Sequence, residues 1–174
     1  MARQRELEEN AVDGFVDVQR RKQRLDLVHE VKQLVEQLRI VPRSPIFIDF
    51  TEGNDKLVVA GDLSRLRRVW QNIIRNAMDA AETGKKEERP RLMITVKRTG
   101  KFARLQFRDN AGGIPRQRLV RVFEPFFTTK DVGRGTGLGL AISKEFIEAQ
   151  SGNITVDSEF GAGSTFTLTL NKAT

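Results

Sequence analysis

Apolar residues near the start of this chain recur at helical spacing. Leu25, Leu27, Val28, Val31, Leu34, Val35 and Leu38 predict an amphipathic helix over 23–39, ended by Pro42 and Pro45. PIFIDF and KLVVA then read as two short strands around the turn EGND. Asp62 is placed to cap the next helix, over about 63–82. There Leu66, Val69, Trp70, Ile73, Ile74, Ala77, Met78 and Ala81 make one continuous face at roughly 100° per residue. The opposite side carries Arg68, Asn72, Arg75, Asn76 and Asp79. After the polar loop GKKEERP, LMITVKR and ARLQFRD alternate as strands joined at Thr99-Gly100-Lys101. A further helix is predicted over about 138–150, followed by the strands NITVDSE and STFTLTL, joined through Phe160-Gly161-Ala162-Gly163. Strands come in adjacent pairs and do not alternate singly with helices. The predicted class is therefore an α+β sandwich, with about three helices on one face of a mixed, mostly antiparallel sheet.

Residues 1–22 are mostly polar and charged, and their few apolar positions are too short a set to form a core. They read as a helical stump or linker, and the folded domain is expected over 23–172. A chain of 174 residues is long enough to bury a core of its own. With no cysteine, disulfide scaffolding and thiol chemistry are excluded, and a single histidine excludes a multi-histidine metal site. No apolar run approaches the roughly 18 residues of a membrane span, and no signal peptide is visible, so a cytoplasmic chain is expected. The net charge of +7 allows an anionic partner, although the arginines are scattered.

The chemistry concentrates between Asp109 and Leu140, DNAGGIPRQRLVRVFEPFFTTKDVGRGTGLGL. Glycine stands at every second position from Gly133 to Gly139, just where the predicted helix begins. Glycine lets backbone approach a ligand closely, and amide groups at a helix N-terminus bind anionic oxygens. This stretch reads as a phosphate-binding flap. Upstream, Asn72 and Asn76 share a helix face one turn apart. They are either two poor helix formers on a solvated face or neutral oxygen ligands for a magnesium ion that bridges phosphates. Asp109-Asn110-Ala111-Gly112-Gly113-Ile114-Pro115 ends a strand. It is either a tight turn or a buried carboxylate that needs a donor such as an adenine amino group. Phe123, Phe126 and Phe127 within FEPFFTTK read as core residues or as the latch of a lid, with Lys130 able to reach a phosphate as a point charge. No G-x-x-x-x-G-K-[ST] is present, and no G-x-G-x-x-G follows a strand.

In order and spacing, these elements resemble the N box, first glycine box, F box and second glycine box of the histidine-kinase ATP-binding domain. Gly161-Ala162-Gly163-Ser164-Thr165 is similar to the third glycine box. FEPFFTTK and GTGLGLAIS resemble two-component sensor kinases, and NAMDAAE their nitrogen-regulator type. The resemblance covers about residues 24–171. It implies the Bergerat ATP-binding fold, with ATP and Mg²⁺ held under a mobile lid spanning about 114–136. By position, Asn76 would hold Mg²⁺, Asn72 would sit by the phosphates and Asp109 would bind the adenine amino group. Gly113 and Ile114 would line the base. Lys130, Gly135, Thr136, Gly137, Leu138 and Gly139 would wrap the phosphates, and Thr165 would help to hold a water beside adenine. Asp79, Ala111, Phe127, Thr129 and Leu140 complete the implied nucleotide-contacting set, and Asn72, Asn76 and Lys130 are the implied catalytic residues.

Two positions depart from the pattern. Ala111 stands where the family often has glycine, so its turn must avoid positive φ. Asp79 stands where many of these kinases have lysine, which leaves Lys130 or Arg75 to supply the compensating charge. His29 heads a segment, HEVKQ, similar to a phosphoacceptor box, but Leu34 stands where that box usually has proline. Only 42 residues separate His29 from Asn72, too few for a second hairpin helix beside the elements already there. His29 is therefore expected in the first helix of the ATP-binding domain, and the phosphoacceptor histidine is expected elsewhere. The implied partners are a histidine-bearing dimerisation domain, in cis or in trans, and a response regulator, with no nucleic acid. This chain does not span a membrane, whatever its parent protein does. Three other readings are a serine kinase of the anti-sigma type, an ATP-dependent binding module without transfer, and a basic nucleic-acid-binding domain that only the charge supports.

Overall fold

The computed structural model describes residues 23–39, 44–52, 56–83, 89–129 and 135–173. The expected segment 1–22 lies outside them. In chain order the elements are β1 (Gln23–Asp26), α1 (Leu27–Arg39), β2 (Phe47–Glu52), β3 (Val58–Gly61) and α2 (Leu63–Thr83). They continue with β4 (Arg91–Thr99), β5 (Phe102–Asp109), the short α3 (Arg116–Leu119), α4 (Gly139–Ala149), β6 (Asn153–Glu159) and β7 (Gly163–Asn171). Five strands form one sheet in the order β2-β4-β5-β7-β6, antiparallel except for the parallel pair β2–β4. The mixed, mostly antiparallel sheet is thus as expected.

Alternation along the strands sorts the sheet's two faces. Leu92, Ile94 and Val96 of β4, Ala103, Leu105 and Phe107 of β5, and Phe166, Leu168 and Leu170 of β7 are buried. They share one core with Leu27, Val31, Leu34 and Val35 of α1, with Leu66, Val69, Trp70, Ile73, Ile74 and Ala77 of α2, and with Ile147 of α4. The intervening positions, such as Met93, Arg104 and Arg108, are exposed. A sheet with one face packed and one solvated reads as this clean alternation, which is why β4, β5, β6 and β7 were legible.

Two expectations are corrected. Residues 23–26 are strand, because Gln23–Asp26 pair antiparallel with β3 and bury Leu25, and the helix begins only at Leu27. The segments before α2 are strands, but not partners of each other. β2 runs parallel to β4, with Phe47 opposite Arg91, while β3 joins β1 in a separate two-stranded sheet. Parallel neighbours need a crossover connection, and here it includes β3 and α2. The turn EGND falls largely outside the described residues.

Asp62 caps α2 as expected: its Oδ1 accepts from the Arg65 amide at 3.2 Å, and its carbonyl accepts from the Leu66 amide at 2.9 Å. His29 lies exposed on α1, and its Nε2 is 3.0 Å from Gln33 Nε2 on the same helix. It therefore belongs to the first helix of this domain, as expected. Asp62→Ala should lower unfolding stability by about 1 kcal/mol, the usual worth of an acidic N-cap. Urea titration checks it: the midpoint falls with an unchanged slope, whereas an unmoved midpoint would deny the cap any role.

Candidate nucleotide-binding site

Asp109 is the last residue of the central strand β5 and is 7% exposed. Its Oδ1 accepts the Ala111 amide at 2.8 Å, which closes a turn built by the carboxylate itself. Ala111 is buried and is not among the positive-φ residues, so the turn is of the common kind the alanine requires. Asn110 fastens the same end to β4: its Oδ1 accepts the Arg91 amide at 2.7 Å, and its own amide donates to the Arg91 carbonyl at 3.2 Å.

The hairpin between β6 and β7 packs against this turn. Gly113 has φ +66°, and a Cβ there would run into the Glu159 carbonyl, so only glycine fits. The Gly161 amide donates to the Gly112 carbonyl at 2.8 Å. Ser158 joins the pieces: its hydroxyl accepts the Ile114 amide at 2.8 Å, donates to the Gly163 carbonyl at 2.9 Å and lies 3.0 Å from the Ser164 hydroxyl. Ile114, the first residue of the expected lid, is thus anchored to the hairpin.

Register assigns one position differently from the expectation. Ser164 lies opposite Asp109, on the same face of the sheet, and is 7% exposed. Thr165 lies opposite Arg108, one step along, and so points to the other face. Ser164, not Thr165, stands beside the carboxylate. The period-2 alternation of STFTLTL carried that signal.

From Pro115 to Phe127 the chain is a run of turns. The Leu119 amide donates to Pro115, Arg121 to Arg118, Glu124 to Arg121 and Phe127 to Glu124, at 2.9–3.3 Å. The three aromatics do not act alike. Phe123 packs partly buried against the core, and Phe126 is 74% exposed with φ +64°. Phe127 is half-buried, with the Arg121 guanidinium 4.6 Å from its ring centre. Thr129 is exposed, and Lys130 and Gly133 lie outside the described residues.

Gly135 and Thr136 are exposed and lead into α4. The Leu138 amide approaches Thr136 Oγ1 at 3.3 Å. Gly137 has φ +67°, and a Cβ on it would collide with the backbone of Phe126. The aromatic segment and the glycine loop therefore touch through main chain. Gly139 begins α4, with Leu140 half-buried behind it.

Across from that helix start stands α2. Asn72, Asn76 and Asp79 are all half-buried on it. Asn72 is not on a solvated face: its Nδ2 donates to the Gly139 carbonyl at 3.1 Å and to Ser143 Oγ at 3.2 Å. Ser143, Ser158 and Ser164 are the residues of this region to which the sequence assigned no role of their own. Among the described residues no group of three or more His, Cys, Asp or Glu is arranged to hold a metal ion.

Residues 61–174 match the family described as "Histidine kinase-, DNA gyrase B-, and HSP90-like ATPase". The sensor histidine kinase RcsC of Escherichia coli (strain K12) is 37% identical over 126 residues, 68% of this chain and 12% of RcsC. Sporulation kinase A of Bacillus subtilis (strain 168) is 30% identical over 165 residues, 95% of this chain and 25% of that kinase. The chain thus spans only a minor part of these relatives. Among solved structures, the nucleotide-free catalytic domain of histidine kinase ThkA has a TM-score of 0.70 at 27% identity, covering 88% of this chain and 97% of that one. Full-length ShkA in complex with AMPPNP has a TM-score of 0.73 at 26% identity, covering 88% of this chain and 31% of that one. The glycine-rich turns, the asparagine-bearing helix and the helix start between them therefore have a family: the chain belongs to the histidine kinase-, DNA gyrase B- and HSP90-like ATPases, as an ATP-binding domain of the sensor-histidine-kinase type.

Proposed function

We propose that this domain binds Mg-ATP and passes its γ-phosphoryl to a histidine on a dimerisation domain outside the described residues, in cis or in trans. A response regulator would then take the phosphoryl group. The observation that carries the reading is Asp109: a carboxylate buried at the end of a central strand, beside glycine turns. One of its oxygens accepts the Ala111 amide, and an ionised carboxylate, which only accepts, is the natural partner of an exocyclic amine. A base with a carbonyl oxygen at that position would meet lone pairs instead.

The other site residues divide by what they can hold. Gly113 and Ile114 would line the base, with Ala111 beneath. The amides of Gly135, Thr136, Gly137, Leu138 and Gly139, with Leu140 behind, would face the phosphates at the start of α4. Lys130 would add a point charge, and Phe127 and Thr129 would border the nucleotide from the lid. Asn76 fits a magnesium ion, since its neutral carboxamide oxygen is the hard ligand such an ion takes alongside waters and phosphate oxygens. Asp79, one turn further on, fits its waters. When bound, the ion neutralises charge on the leaving ADP. In the transfer, the bond from the γ-phosphorus to the β–γ bridging oxygen breaks and a phosphorus–nitrogen bond forms. The protein's share is positioning and charge compensation. ShkA, whose complex contains AMPPNP, is a structural relative that lends support to an adenine nucleotide here.

Mixing the domain with Mg-ATP and a histidine-hairpin domain should give an acid-labile, alkali-stable phosphate on the hairpin. An acid-stable phosphate on serine would favour the anti-sigma type of kinase, and no transfer to any hairpin would leave a binding module. Asp109→Asn should weaken ATP binding about 10- to 100-fold, from the roughly 1.5–3 kcal/mol of a hydrogen bond to a charged group. Calorimetry checks it, and an unchanged affinity would remove Asp109 from the base site.

A further inference from the structure

Asn72 stands where a phosphate-facing side chain is expected, yet its carboxamide nitrogen donates inside the protein. It donates to the Gly139 carbonyl at 3.1 Å and to Ser143 Oγ at 3.2 Å. The Gly139 oxygen only accepts, which fixes the amide's orientation. Ser143 Oγ in turn donates to the same carbonyl at 2.7 Å. Its single proton is thereby used, so towards Asn72 it acts as the acceptor. The three groups form a closed triangle of hydrogen bonds. Ser143 is 1% exposed, so its hydroxyl has no water to replace these partners.

Gly139 has no Cβ, which brings Asn72 close: a Cβ there would lie 3.3 Å from the Asn72 carboxamide carbon. The triangle therefore seats the first residue of α4 directly on α2. Immediately upstream are Gly137 and Leu138. Along α2, Asn76 lies one helical turn from Asn72, about 6 Å along the axis.

We propose that Asn72 and Ser143 are positioning residues: together they clamp the Gly139 carbonyl to α2 and so hold the phosphate-facing amides of the glycine loop in register with Asn76. On this account Asn72 acts on the phosphate end through α4. The inference rests on the proposed ATP site. It separates from that site because the clamp touches only the phosphate end, whereas Asp109 serves the base end.

Calorimetry with two probes, Mg-ATP and adenosine, tests it on the whole chain. Ser143→Ala and Asn72→Ala should each weaken Mg-ATP by roughly five- to tenfold. Adenosine affinity should stay within about twofold, and the double variant should lose little more than either single one, as residues in one network do. Ser143→Thr, which keeps the hydroxyl, should restore most of the Mg-ATP affinity. If Ser143→Ala does not fold, Ser143→Cys, which fills the space with a poor hydrogen-bonding group, carries the same expectation. Undiminished Mg-ATP binding by the Ser143 variants would overturn the clamp and assign any effect of Asn72→Ala to direct contact. Equal losses for adenosine and Mg-ATP would reduce Ser143 to a packing residue and overturn it as well. If the unaltered protein bound neither probe, the nucleotide site itself would fall, and the clamp with it.

Discussion

A carboxylate taken out of water must be given partners, and in this fold that requirement organises one end of the sheet. Asp109 ends β5, the strand between β4 and β7. Its own amide turn, the Asn110 link to β4 and the close approach of the Gly161–Gly163 hairpin leave the carboxylate no freedom to swing out. Burying an ionised group without compensation costs several kcal/mol. The Ala111 amide supplies part of that compensation, and Gly113 and Gly163 let the hairpin pack against the backbone of the turn. Ser164, opposite Asp109, adds a hydroxyl on the same side. Preorganisation of this kind favours a ligand that brings a donor to a fixed place.

The phosphate end solves a different problem. Anionic oxygens need donors and cations, and here the donors are main-chain amides at the start of α4. Their direction depends on where that helix begins. α4 has no side-chain N-cap hydrogen bond of its own. What ties its first residue to α2 is the Asn72 side chain, with Ser143 of α4 itself completing the contact. The aromatic segment meets the loop through the backbone of Phe126 and Gly137. A change at α2, in the lid segment or in α4 therefore reaches the same few amides.

Much of this was legible in the sequence, and the parts that were not have physical reasons. The helical face of α2, the alternation in β4 to β7 and the Asp62 cap depend on neighbours close in sequence. Strand residues 23–26 were hidden because Leu25 fits a helical spacing with Val28 as well as an alternating one with Leu27, and only pairing with β3 decides between them. The parallel partnership of β2 with β4 is a long-range choice that no local pattern encodes. At the site, the glycines and Asp109 stood out by composition and spacing. Ser143 did not, because a serine four residues after a glycine is unremarkable until Asn72, from another helix, is placed against both. Thr165 was read from its place in the motif, whereas counting strand alternation back from Phe166 gives Ser164 as the residue that shares a face with Asp109.

The central claim is that one adenine nucleotide spans both ends, base at Asp109 and phosphates at the start of α4. A crystal structure of the domain with Mg²⁺ and a non-hydrolysable ATP analogue measures this most directly. The account predicts the adenine amino group within about 3 Å of an Asp109 carboxylate oxygen, with the phosphates against the amides of residues 135–139 and Asn76 on the metal. A nucleotide bound elsewhere, or one whose base avoids Asp109 while its phosphates lie away from α4, would contradict it.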